Sequence, residues 1–340
     1  MQINRRSLLA AAAAIGATGW SSQPSLARDK LTGVIYFTPT YKAIIQGARG
    51  FVKAFNDASG GDASLELFDS GQLVKADQQL PALRSGNVDM MFHATSYITR
   101  TLPILGIVGL PGVVEQLYEH PDRLAMDGPL MKLINGELAK QNLYMPTLGG
   151  GILEPQYIWV RKGASISNLA DLKGKKVRIA EYEATRAMEK LGVSSVRLTS
   201  SEIYLALQRG IVDAAVVNIA TVMGRSLQEQ LSACYKLPVT AYTVAPFVLL
   251  DKWKAMPEGR RQAFLTASKW YDSFLAKTSR DDVYPKYWEQ VKAVGVATEA
   301  ASEQDIVAFG AASKEVRDAW SKEVGEDVGA RAIALAMGKA

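Results

Sequence analysis

The sequence has a single cysteine, Cys234, and only two histidines, His93 and His120, in 340 residues. No internal disulfide can form, and the common zinc centres built from Cys and His lack their ligands. No apolar run reaches the ~20 residues that a membrane-spanning helix needs. Neither sign of charge dominates: 39 Lys and Arg against 34 Asp and Glu give a net charge of +5, and the basic residues are scattered. A nucleic-acid partner, which asks for Lys and Arg clustered on one face, is therefore not expected. No GxSxG elbow or GxGxxG fingerprint occurs, and Gly149-Gly150-Gly151 lacks the Lys-Ser/Thr continuation of a phosphate loop. Cys234 reads as a small core residue. The Lys173-Gly174-Lys175-Lys176 cluster reads as a solvated turn. No catalytic constellation, cofactor site or metal site is expected.

What is present is ordinary globular composition, 48% hydrophobic and 21% charged. The length exceeds the roughly 250–300 residues that one hydrophobic core can organise, so two domains are expected. Residues 1–27 have the pattern of an export signal. Arg5-Arg6 precedes an uncharged run from Ala10 to Gly19, and Ser25-Leu26-Ala27 is a small-x-small cleavage site. The paired arginines resemble a twin-arginine signal, although the general secretory route also uses basic n-regions. An exported, periplasmic protein follows.

Beyond the signal, strands and helices alternate. Residues 31–37 and 64–68 read as strands, joined by a helix whose apolar face is Ile44, Ala48, Phe51, Val52 and Phe55 and which stops at Gly60-Gly61. Residues 176–180 and 196–198 repeat the strand pattern around a helix over 184–191, and Thr199-Ser200-Ser201-Glu202 has capping-box spacing. Residues 258–294 and 302–337 read as long helical stretches. An internal echo links the two halves: Ala82, Leu83, Gly86, Val88 and Asp89 recur as Ala206, Leu207, Gly210, Val212 and Asp213. Each copy reads as a helix end, a glycine able to take positive φ, and a short buried strand. Two similar α/β lobes meeting at a cleft, a standard small-molecule site, explain the repetition.

Several segments in order carry a more specific likeness. They are Ser70-Gly71-Gln72-Leu73, residues 82–90, Asp127-Gly128-Pro129, residues 168–179, residues 201–213, Phe247-Val248-Leu249 and Met256-Pro257. On these the chain resembles the dicarboxylate-type solute-binding proteins of TRAP (tripartite ATP-independent periplasmic) transporters. The resemblance implies an α/β fold of the type II periplasmic-binding-protein kind. In it, two mixed, mostly parallel sheets are covered by helices, and long C-terminal helices brace the lobes. It also implies a receptor that closes on its ligand by hinge motion and delivers it to a membrane permease. The expected organisation is a signal at 1–27, a first lobe at 28–152, a second lobe at 153–250 with strands crossing between lobes, and bracing helices at 251–340.

The same resemblance places Arg178 against a ligand carboxylate, and a planar guanidinium with two parallel donors suits that partner. Gln156 stands where many members have a second arginine, so a second carboxylate is not strongly held. Ala215-Val216-Val217-Asn218 replaces a Gln-Glu-Asn-Pro segment, removing an acidic residue that some members use for a metal ion; Asn218 contributes only if it shifts inward. Glu181 either holds Arg178 in place or accepts from a ligand amine or hydroxyl. Further candidates at strand ends are Phe37, Thr38, Tyr41, His93, Thr95 and Tyr97 in the first lobe. Those in the second lobe are Tyr182, Ser200, Tyr242 and Phe247. Their aromatic share favours an organic monocarboxylate, aromatic or branched, over a small dicarboxylate. A receptor feeding a sensor system, or an enzyme on the same bilobed fold, are the other functional classes such a chain allows. Whether the C-terminal helices make a dimer is open.

Overall fold

The computed structural model describes residues 29–339; the expected signal at 1–27 lies outside them. The first strand, β1 (Asp29–Ile35), runs from exposed to buried and pairs in parallel with β2 (Ala63–Phe68) and β3 (Met90–Ala94). The helix Lys42–Ala58 makes the first crossover. Ile44, Ala48, Phe51 and Phe55 recur on one helical face, and all four are buried against the sheet and the later helices. The chain then adds β4 (Leu143–Tyr144) at the edge and crosses to a second sheet. There β5 (Gln156–Arg161), β6 (Lys176–Arg178), β7 (Ser194–Val196), β8 (Ala214–Val217) and β9 (Leu231–Thr240) assemble. The chain returns to the first sheet through β10 (Val244–Leu249) and later supplies β11 (Ala297–Ala300) to the second. The sheet orders are β2-β1-β3-β10-β4 and β11-β9-β5-β8-β6-β7. Two lobes, each a mixed sheet under helices, are thus joined by two direct connections between their sheets, at 145–155 and 241–243, and further on by the C-terminal helices.

The sequence echo is a structural unit. Gly86 and Gly210 both take positive φ, 75° and 66°, where their helices stop. Asp89 then accepts the N–H of Thr32 on the neighbouring strand at 2.7 Å and returns its own N–H to the Thr32 carbonyl. Asp213 does the same to Lys176, at 3.0 Å for the side-chain bond. The carboxylate satisfies a strand-end N–H that the parallel ladder leaves unpaired.

The C-terminal stretches tie the lobes together. Helix Glu258–Lys277 packs on helix Lys42–Ala58 so closely that a Cβ on Gly50 would sit 1.8 Å from the Trp270 ring. A π-helical turn at Thr278–Val283 precedes Pro285 and redirects the chain into helix Tyr284–Ala293. That helix lies on the second lobe, and its Trp288 stacks on Trp159 of β5 at 5.2 Å. Helix Glu303–Val324 buries Phe309 and Val316 in the second lobe's core and Trp320 in the first's. Strand β11 was not legible as a strand in sequence. All four of its residues are exposed, so it lacks alternation and is held only by pairing with β9. Phe247, expected at a turn of the second lobe, is inside β10 and buried in the first lobe's core, because the returning strand reads as one apolar run.

Candidate functional site

The cleft between the lobes holds a narrow chamber. Tyr36 and Phe37 reach it just beyond β1, and Ala94, Ser96 and Tyr97 at and after the end of β3. From the second lobe come Gln156 at the start of β5, Arg178 at the end of β6, Glu181, Ser200, and Thr221 in helix Ile219–Gly224. Tyr242 lies in the segment crossing from β9 to β10, and its carbonyl accepts the N–H of Leu153 in the other crossing segment at 3.1 Å. The floor of the chamber is therefore the place where the two connections touch.

The two walls differ in chemistry. The first lobe presents rings: Tyr36 stacks on Tyr97 with centroids 5.4 Å apart and planes inclined by 16°. Burial pushes the phenols of Tyr36 and Tyr242 well above their ordinary range, which keeps them neutral donors. The second lobe presents the charged groups. Arg178 is 3% exposed. Its Nε and Nη2 both donate to the Leu198 carbonyl, at 3.0 and 2.9 Å, and Nη1 donates to the Val216 carbonyl at 3.3 Å. A guanidinium has five N–H donors. These bonds leave one on each terminal nitrogen, and no ion pair engages Arg178 among the described residues. Glu181 is also 3% exposed, and its Oε1 accepts from the Gln156 amide at 2.6 Å.

Contacts between lobes close the chamber. The Ser200 N–H donates to the Tyr97 phenol across the seam, and Arg225, which donates to the Ser200 hydroxyl at 3.2 Å within the second lobe, lies over the Tyr41 ring of the first at 5.3 Å. Outside this seam lies an open vestibule of about 500 Å³, lined in part by Thr38, Lys75, Asp77, Glu202 and Arg225.

Of the residues proposed from sequence, the structure brings Arg178, Gln156, Glu181, Phe37, Ser200, Tyr97 and Tyr242 to the chamber. The others are elsewhere. Thr38 turns to Thr40 at 2.6 Å and faces the vestibule. Tyr41 is behind the wall, its ring edge-on to Phe37 and against Gly224, where a Cβ would come within 2.7 Å. His93 is buried with Nδ1 on the Gln79 side-chain oxygen at 2.8 Å, and desolvation pushes its pKa down to about 3. Thr95 is spent on Thr243 across the sheet, accepting its N–H at 3.3 Å. The Val217 carbonyl accepts the Trp159 indole N–H at 2.9 Å while its side chain packs in the core. Asn218 caps a helix, its Oδ1 accepting the Thr221 N–H at 3.0 Å, and so does not shift inward. Tyr182 lies under Arg100, 4.9 Å from ring centroid to guanidinium carbon. The capping box is half made: Glu202 accepts the Thr199 N–H at 2.7 Å, but the Thr hydroxyl donates to the same carboxylate.

Sequence reasoning missed Tyr36, Ala94, Ser96, Thr221 and Arg225. Thr221 had a signal, since Asn-x-x-Thr is cap spacing and places the fourth residue beside the strand end. Arg225 had none; it and Ser200 lie 25 residues apart and the packing of the second lobe brings them together.

This is the kind of site a bilobed solute-binding protein has: a polar-and-aromatic chamber between two lobes, at the place where the chain crosses from one to the other. The matching family model is that of the bacterial extracellular solute-binding proteins, family 7, over residues 36–323, and the chain belongs to that family. A curated solute-binding protein of Albidiferax ferrireducens is 25% identical over 248 residues, 69% of this chain and 68% of that one. A marine metagenome TRAP solute-binding protein, solved with co-purified pyroglutamate, superposes with a TM-score of 0.80 at 21% identity, covering 92% of this chain and 99% of that one. One from Rhodoferax ferrireducens, with bound malonate, gives 0.77 at 20% identity and covers 91% and 98%.

Proposed function

We propose that Arg178 anchors the carboxylate of a small organic acid in the chamber, and that the acid is a monocarboxylate. We read the chain as the solute receptor of a TRAP transporter for organic acids; its membership of the extracellular solute-binding family and the acids bound by its structural neighbours support this reading. The observation that carries the anchoring role is the state of Arg178: a buried guanidinium, fixed by two backbone carbonyls, with an N–H free on each terminal nitrogen and no ion pair among the described residues. A buried cation is costly unless paired, and a carboxylate supplies both the charge and the fork geometry. Gln156 adds no second cation to the lining, which favours one carboxylate over two. Signal removal near Ala27 would release the receptor into the periplasm, where the ligand's extra affinity for the closed form drives closure and presentation to the permease.

The test is a thermal-shift screen against aliphatic and aromatic monocarboxylates, dicarboxylates and sugar acids. A ligand at ~1,000 times its dissociation constant adds about 4 kcal/mol of stability. A monocarboxylate should give the largest shift, Arg178→Ala should abolish it, and Arg178→Lys should lose most of it. A shift that survives Arg178→Ala, or a tighter fit for succinate or malonate, would reject the reading.

A further inference from the structure

We propose that the acid carries an N–H donor beside its carboxylate, specifically an ammonium, and that Glu181 selects for it. The inference rests on Arg178 taking the carboxylate. Glu181 lines the chamber, and its Oε2 is buried with no hydrogen-bond partner among the described residues. Leaving a buried acceptor unpaired is costly, most of all for a carboxylate oxygen. The side chain is not there to hold Arg178: the guanidinium is fixed by the carbonyls of Leu198 and Val216, and no ion pair joins the two residues. Gln156 donates its amide to Glu181 Oε1, and no donor among the described residues reaches the Gln156 side-chain oxygen. Two acceptor oxygens and one guanidinium thus line the same narrow chamber. Ser96, whose buried hydroxyl also has no partner among the described residues, adds a group that can donate or accept.

Charge balance selects among donor-bearing acids. Arg178 and Glu181 sum to zero, and so does a zwitterion, so an amino acid closes the chamber with no net charge buried. A simple carboxylate would leave one charge uncompensated in a water-poor space. Lactams and 2-hydroxy acids supply a neutral donor to the same oxygen without balancing it.

Matched series distinguish these cases. The 2-amino, 2-hydroxy and unsubstituted acids bearing a methyl, isopropyl or benzyl side chain, with pyroglutamate as the lactam, are titrated by calorimetry into the purified protein. On the best-fitting side chain, the amino acid should bind about tenfold or more tightly than the unsubstituted acid, the scale of one charge-assisted hydrogen bond. Glu181→Gln should collapse that ratio, and Glu181→Asp should retain part of it. The ratio is read within each variant, so a general loss of stability does not imitate the result. Equal binding of amino and unsubstituted acids, a ratio unmoved in Glu181→Gln, or a dominant preference for pyroglutamate that survives Glu181→Gln overturns the proposal. So does failure of every amino acid to bind while another acid does. Each of these leaves the carboxylate anchor standing if Arg178→Ala still abolishes binding. Unchanged binding in Arg178→Ala removes the anchor itself.

Discussion

The phenolic oxygen of Tyr97 accepts the backbone N–H of Ser200 at 2.9 Å, and the two residues stand on opposite lobes. The bond is made only where the lobes meet. Thr40 makes a second such contact, donating to the Gly224 carbonyl at 2.8 Å. These bonds stabilise the closed form directly, so they add to whatever the ligand contributes.

Tyr97→Phe keeps the ring and its stack on Tyr36 but deletes the acceptor. Ligand affinity should fall roughly 3–10-fold, mainly through faster release, the scale of one net hydrogen bond. Stopped-flow displacement checks this, and an unchanged release rate would remove Tyr97 from the closing seam.

Glu183 sits in helix Tyr182–Lys190, buried, with its carboxylate accepting from Thr99 of the other lobe at 3.3 Å. Burial pushes its pKa up to about 7. A carboxyl raised in the folded state contributes its stability fully below its unfolded pKa of about 4.5, and loses it as pH rises through 7. Urea midpoints should therefore fall between pH 5 and pH 8. Glu183→Gln should flatten the decline and gain ~1–3 kcal/mol relative to wild type at pH 8 over pH 5. Glu154, also raised to about 7 by burial, acts in the same direction.

His93 has the opposite sign. Its folded pKa of about 3 means that it stays neutral while the unfolded chain takes up a proton below about 6.5. Its contribution is present at neutral pH and is lost as pH falls toward 3. Imidazole resonances of His93 should show no titration between pH 5 and 8; a midpoint inside that window would place water, or a ligand, against the ring.

Asp213→Ala and Asp89→Ala each remove the carboxylate that holds a neighbouring strand's N–H. Each should cost ~1–3 kcal/mol in denaturant unfolding, with similar values for the two because the geometry is shared. A loss confined to one lobe would mean that the echo is one of sequence more than of energetics.

Much of this fold is written locally. Apolar spacing from Ile44 to Phe55 specifies a helix with one buried face, and that is what forms. The Gly86 and Gly210 stops need only positive φ, which glycine takes at little cost. Arg178 was singled out by the resemblance alone; the structure adds that it ends β6 and lines the chamber. What sequence did not reveal depends on distant partners. Asn218 was read as a pocket residue, but its side chain caps the helix that starts beside it, a competition decided by where the chain turns. Tyr36 and Phe37 are adjacent, and nothing local says that both reach the chamber. Arg225 and Ser200 are 25 residues apart and become neighbours only through the packing around them.

Helix Glu303–Val324 is rooted at both ends, by Phe309 and Val316 in one core and by Trp320, whose indole N–H reaches the Pro103 carbonyl at 2.8 Å, in the other. Such a rod behaves as a leaf spring. When the lobes part, it must flex or slide at an anchor, so opening is opposed by elasticity as well as by lost contacts. Gly310 lies within it with open space around its Cα. Gly310→Ala would stiffen the rod, since alanine favours helix by ~1 kcal/mol over glycine. Ligand affinity would then change at a residue that touches no ligand, because part of the binding constant resides in the flexural rigidity of a helix on the back of the molecule.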